Sequence, residues 1–395
     1  MKNRNPLLTT DLRLAGALAL ALALATGAAR AAPKAAQAPK AARPAAATKA
    51  PARAPARAWA TPEYTAAAQQ LDAAVRGMLQ QGLARRDGYA YGMDVAPMLL
   101  YAAERKDREL YESLLPQAQK LVVTGDDAAT DGFVLWRQKD GVAPEITGAE
   151  EALWMGRALW AGGRAFDRAG DRALAAKIVA GYARHAREQL GVWSVSKYYA
   201  FSSKSYAATS VLPAYQADFI SDTEAAAPAA KGLGARAYNL IQRAVSPSKL
   251  LLPVIQPGLG EHFAGMGAQR YAPDDVVVLE DSCLGAEGAQ RGLPDVAKGV
   301  LAFTGDGSRL NADGRLYAYY QRKSGKPVGD AVLGSSGYAC LARIAANFGD
   351  RNAASALQAA LTGDMLALAA PGGGGGAPLY SAGPLLRAAY ALHAF

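Results

Sequence analysis

Two cysteines and three histidines are all that this 395-residue chain offers for disulfides and zinc. His185, His262 and His393 are far apart and none has a second ligand at helical spacing, so no metal site is expected, and no cofactor either. Cys283 and Cys340 leave two readings open: a disulfide contributing ~3–4 kcal/mol by closing a long loop, or two buried free thiols. Charged residues are sparse, at 19 % against 51 % hydrophobic, which is enough apolar content for a large core.

No apolar run is long enough to span a bilayer. Leu14–Ala25 follows Lys2, Arg4 and Arg13 and precedes Ala29-Arg30-Ala31, a small-x-small cleavage pattern. Residues 1–31 are therefore expected to be a signal peptide, with a periplasmic or secreted destination and no stable membrane insertion after cleavage; no nearby cysteine offers a lipid anchor. Residues 32–58, almost entirely Ala, Pro, Lys and Arg, cannot bury apolar surface and read as a disordered linker. The formal charge of +9 belongs to these two segments. Residues 1–31 carry four basic side chains and one acidic, and 32–58 carry six basic, so 59–395 nets zero and gives no reason to expect a nucleic-acid partner.

The remainder reads as a single domain, 59–395, built of helices. Thr61 before Pro62 marks a helix start, and another helix is expected over about 92–104. Three stretches repeat one pattern: an apolar helix, a charged turn (Asp107-Arg108, Asp171-Arg172 or Asp350-Arg351), then a second apolar helix capped by the Asp. Their irregular spacing argues against a strict solenoid, with a degenerate repeat array as the alternative. Further helices are expected near 205–220, 226–244, 286–304 and 382–394. Strand-like runs are read at Gly132–Arg137, Lys249–Gln256, Asp274–Glu280 and Leu316–Gln321. Helical hairpins with loops lengthening on one side point to helices closing into a double ring: an all-α, (α/α)6 toroid with a few short β-segments on one rim.

One stretch, Asp131–Trp160, combines rings, carboxylates and a helix start. Thr147 with Glu150 fits a capping box, which accounts for Glu150, and Glu151 suits a helix N-terminus. Glu145 has no such duty and is a candidate catalytic or sugar-binding carboxylate. Trp136, on the preceding segment, joins Tyr89, Tyr91, Trp193, Tyr198 and Tyr199 as loop aromatics of the kind that stack on sugar faces, whereas Trp154 and Trp160 read as core. Ser194-Val195-Ser196-Lys197 and Lys323-Ser324-Gly325 have the spacing of penicillin-recognising enzymes, but no Ser-x-Asn element lies between them and that chemistry is set aside.

In order along the chain, three pieces resemble the family 8 glycoside hydrolases, secreted endoglucanases of (α/α)6 type within the six-hairpin glycosidases. Asp87-Gly88-Tyr89-Ala90-Tyr91-Gly92-Met93 is similar to the family's Glu-Gly-x-x-Tyr-Gly-Met, whose first residue is the general acid. Thr147-Gly148-Ala149-Glu150 stands where the family has Thr-Asp-Ala-Asp, and Glu280-Asp281-Ser282-Cys283 where it has a Tyr-Asp-Ala stretch bearing the base. Pro378-Leu379-Tyr380 and the following Ala/Leu run are similar to its closing helix. The motifs are degenerate: the acid is shortened to Asp87 and the central Asp is replaced by Gly148. The resemblance implies a glycosidase acting on a polysaccharide, a β-glucan or a bacterial exopolysaccharide, with Asp87 and Asp281 as acid–base groups beside Glu145. Tyr89, Tyr91, Trp136, Trp193 and Tyr199 are the expected substrate-binding residues. A catalytically inactive glycan-binding or exopolysaccharide-assembly factor, or a polysaccharide lyase, is the alternative.

Overall fold

Helix α1 (Pro62–Gln80) opens as the sequence predicts: the Tyr64 N–H donates to Thr61 Oγ1 at 3.1 Å, with Pro62 in the first turn. Its buried residues, Tyr64, Ala67, Leu71 and Val75, recur at helical spacing. The computed structural model describes residues 60–80, 87–125, 130–142, 145–146, 149–189, 192–195, 212–252 and 275–370, all within the unit Ala52–Phe395. No helix among them is long and apolar enough to cross a membrane.

The hairpins form where the charged turns are. Helix α2 (Gly92–Arg105) ends with Lys106 in the left-handed region, where the Lys106 and Asp107 N–H groups satisfy the last carbonyls. Asp107 then caps α3 (Arg108–Leu121), accepting from the Leu110 N–H at 3.0 Å. The same device joins α10 (Ser335–Phe348) to α11 (Arg351–Ala369): Gly349 takes the left-handed turn and Asp350 accepts from the Ala353 N–H at 3.0 Å. The third turn differs. Helix α5 (Ala169–His185) begins two residues before Asp171, so Asp171 is no cap. It is buried and accepts from the Tyr111 hydroxyl at 2.9 Å and from Arg168 Nε at 2.8 Å. Tyr111 gets there by lying against Gly162 on α4 (Ala149–Ala165), where any Cβ would run into its ring.

A 3-10 turn (Leu212–Gln216) leads into α6 (Ala217–Thr223), followed by α7 (Leu233–Ala244), α8 (Leu279–Gly288) and α9 (Pro294–Thr304). Two expectations change here. The run 274–280 is a strand only over Val276–Val278 and turns helical at Leu279, and the helix expected over 286–304 is two helices broken at Ala289–Leu293. The helix expected over 382–394 and most of the strand expected over Lys249–Gln256 lie outside the described residues.

Helix α2 packs on α4, α8 on α10, and α1 on α11. The last contact is sealed by the Thr61 N–H donating to buried Gln358 Oε1 at 3.1 Å. First and last described helices thus meet, as a ring requires and an open array does not. The fold is all-α, the (α/α)6 toroid of helical hairpins. Its short strands form an antiparallel sheet in the order β1 (Ala90–Tyr91), β2 (Leu135–Gln138), β3 (Glu145–Ile146), and two pairs, β4 (Ala186–Gln189) with β5 (Val192–Val195) and β6 (Val276–Val278) with β7 (Tyr319–Gln321). Trp136 stands on strand β2, within the strand-like run expected over Gly132–Arg137, and Glu145, expected on a loop, stands on β3.

Candidate functional site

The small sheet gathers the first group of candidates. Gly88, with φ of 81°, turns the chain just before β1. This lets Asp87 fold back: its Oδ1 accepts from the Tyr89 N–H at 3.0 Å and its Oδ2 from the Tyr91 hydroxyl at 2.6 Å. Tyr91 pairs with Arg137 across β1 and β2, and Arg137 pairs with Glu145 across β2 and β3, so one cross-strand row carries all three. The register shifts between Leu135 and Arg137, a bulge at Trp136. Consecutive strand residues normally face opposite sides; the bulge lets Trp136 and Arg137 both reach Tyr91.

Arg137 is the centre of this group. Its guanidinium lies 4.1 Å from the Tyr89 ring centroid and 4.5 Å from that of Trp136, donates to the Tyr91 hydroxyl at 3.2 Å, and stands 4.0 Å from Asp87 Oδ2. Trp136 meets Tyr91 edge-on, with centroids 5.7 Å apart. Lys139 Nζ donates to the Asp87 carbonyl at 3.0 Å and sits 5.3 Å from the Tyr89 centroid. Burial, then the hydrogen bond to Asp87, pushes the Tyr91 phenol above its ordinary range, with Arg137 acting against the shift. Donors and positive charge converge on Asp87, an arrangement suited to a carboxylate acceptor. The sequence reading missed Arg137 and Lys139. The available signal was a cation directly following Trp136 in an extended run, meaningful only once the bulge is known.

Asp281 belongs to a second group. It is the third residue of α8 and buried, not at a strand end. Val278 pairs with Tyr319, which brings that phenol near the start of α8; burial, then Asp281 and Glu280, push it up. Glu280 accepts from Ser336 Oγ at 2.7 Å. Asp87, Tyr89, Tyr91 and Trp136 are thus brought together, the backbone of Glu145 lies beside them, and Asp281 lies on α8, whose start is near Tyr319. The side chains of Glu145 and Trp193, the latter on β5, and the whole of Tyr199 and Gly148 lie outside the described residues. Among the described residues no group of three His, Cys, Asp or Glu could hold a metal ion.

Comparison with protein-family models gives no match, and comparison with curated protein sequences gives none either. Solved structures do match. An α-amylase from Clostridium perfringens superposes with a TM-score of 0.57 at 15 % identity, over 78 % of this chain and 85 % of its own. A β-1,3-1,4-glucanase from Paenibacillus sp. X4 gives 0.56 at 10 % identity, over 84 % and 91 %. The endo-β-1,4-glucanase CMCax from Acetobacter xylinum gives 0.53 at 14 % identity, over 84 % and 97 %. At these identities the likeness is one of fold: the chain shares the (α/α)6 helical-hairpin architecture of these structures.

Proposed function

We propose that this chain is an exported glycoside hydrolase acting on a polysaccharide, a β-glucan or a bacterial exopolysaccharide, in the periplasm or outside the cell. The observation that carries the reading is Asp87 set into a wall of Tyr89, Tyr91 and Trp136, a carboxyl group beside rings able to stack on sugars. The architecture supports it, because the solved neighbours are named for cleaving glucans.

Hydrolysis of a glycosidic bond needs one carboxylic acid to protonate the leaving oxygen and a second carboxyl group, about 6.5–9.5 Å away in an inverting enzyme, to activate water. Asp87 takes the first role and Asp281 the second, with Glu145, whose backbone pairs with Arg137 on the same sheet, as a further candidate. As an acceptor of these donors Asp87 is ionised, so to act as the acid it gives up its Tyr91 and Arg137 partners to the bound substrate, takes a proton from solvent and passes it to the glycosidic oxygen. Asp87→Asn keeps the shape and removes that proton, so it separates chemistry from binding.

Reducing-sugar release from a panel of β-glucans and bacterial exopolysaccharides tests this, with Asp87→Asn, Asp87→Ala and Glu145→Ala compared with wild type. Wild type should release sugar and the Asp87 variants should lose it while still binding. Equal, negligible release by all forms with binding intact would overturn hydrolysis and favour the second reading, a glycan-binding or exopolysaccharide-assembly factor. The observation favouring that reading is Gly148, which puts no carboxylate where the resembled family has one. An unsaturated product absorbing in the ultraviolet would identify a lyase instead.

A further inference from the structure

Helices α8 and α10 face one another in parallel, and their polar contacts keep a constant offset. Ser336 donates to Glu280, Arg343 to Glu287, and Asn347 to Gln290 just beyond the end of α8, with sequence separations of 56, 56 and 57 residues. A constant positive offset means the two chains climb together, turn by turn, with these positions facing across the interface. Cys283 stands one turn before Glu287 on α8, and Cys340 stands three residues before Arg343 on α10. Their separation continues the same series.

The thiols are where that ladder puts them. Both cysteines are buried, at 0 % and 3 % exposed, and the Cys283 Sγ lies 3.8 Å from the Gly337 carbonyl, one turn before Cys340. Burial, then the neighbouring Cys340, pushes the Cys283 thiol well above its ordinary value.

We propose that Cys283 and Cys340 form an intramolecular disulfide when the chain folds in an oxidising environment, locking α8 to α10 where the two helices pack. The step is thiol–disulfide exchange. One cysteine thiolate attacks a small or protein disulfide oxidant and expels one of its sulfurs as a thiolate. The second cysteine thiolate then attacks the mixed disulfide, forms the Cys283–Cys340 bond and expels the other sulfur. The two cysteines lose two electrons and two protons, and the oxidant's disulfide is reduced to two thiols. Because neither thiol is exposed once α8 and α10 have packed, the exchange belongs to folding and not to the finished protein.

The experiment refolds the full chain in a buffer of reduced and oxidised glutathione, quenches with acid, denatures, and alkylates without reduction before intact-mass and peptide mapping. The expected result is no alkylated cysteine, a mass two daltons below the dithiol, and a single cross-linked peptide pair joining Cys283 to Cys340. Two alkylated cysteines would overturn the proposal. So would glutathione adducts that persist, or cross-links only between chains. A second measurement needs no variant: the oxidised protein should unfold several degrees higher than the same preparation kept in reductant, and an equal or lower midpoint overturns the lock. Cys283→Ala and Cys340→Ala should abolish that difference. None of these readouts involves saccharide cleavage, so the outcome is independent of the glycosidase reading.

Discussion

Two regions of this ring use the same residue types, carboxylates against arginines, to opposite ends. On the small sheet, Asp87 is one-third exposed and its arginine stands 4.0 Å away, laid against three rings. Between α8 and α10, Glu287 is 5 % exposed and sits between two guanidiniums, Arg157 Nη2 at 3.0 Å and Arg343. Burial works against the Arg343 charge, but Glu287 and Glu104 outweigh it and hold the group more firmly protonated than usual. A carboxylate deep between fixed cations has no exchangeable partner and can only tie helices together. One at a half-open surface, held by a phenol and a stacked arginine, can trade its partners for a ligand.

The strongest way to break this comparison is to cross the two readouts. Removing one partner of a buried pair leaves an uncompensated charge, so Glu287→Ala should cost about 3–5 kcal/mol of stability. Asp87→Ala should change stability by less than about 1 kcal/mol, as a surface pair does, yet lower turnover ~10²–10⁴-fold if it transfers the proton. Urea unfolding followed by circular dichroism measures the first, and initial rates on whichever polysaccharide the wild type cleaves measure the second. A stable Glu287→Ala, or an Asp87→Ala that unfolds, would reverse the assignment of roles.

Trp136→Ala sharpens the same contrast at a smaller scale. The ring is only partly buried and supports Arg137 and Tyr91 from one side. Losing it should weaken polysaccharide binding by about 0.5–1.5 kcal/mol, up to roughly tenfold in affinity, with a smaller change in melting temperature than Glu287→Ala causes. Titration by tryptophan fluorescence or calorimetry checks the affinity. Unchanged affinity would remove Trp136 from the site.

Where chemistry is local, the sequence was legible. Asp107 and Asp350 announce their hairpins because a cap requires a short acceptor just before an apolar helical run. Asp171 carries the same local signature, yet tertiary packing claims it: a tyrosine from α3, lying on Gly162, needs its carboxylate. The site divides in the same way. Asp87, Tyr89 and Tyr91 sit within five residues and could be read as a unit. Arg137 could not, because its role depends on strand pairing over long range and on a bulge that turns two consecutive side chains to one cluster. Glu287 and Arg343 were silent for the same reason, being neighbours only once two distant helices pack in register.

Asp107 gives the smallest effect and lies between the two extremes, a partly buried carboxylate with a structural task. Burial acts against its charge, but the Leu110 N–H and Arg76 prevail, so its carboxyl is held below the ordinary value of 3.8. A lowered value in the folded state means that Asp107 contributes stability above the unfolded value, and that this is lost as pH falls through the folded one. Asp107→Ala should therefore cost about 1 kcal/mol at neutral pH, and the gap to wild type should narrow as the pH drops below the usual carboxylate range. Asp107→Asn keeps a capping acceptor but not the charge; it should lose less at neutral pH and show less of that acid dependence. Urea midpoints for the three proteins at neutral pH and in acid provide the measurement. If the gap to Asp107→Ala held constant with pH, Asp107 would be acting through its shape alone, and charge would separate the rim from the helix interface without any intermediate case.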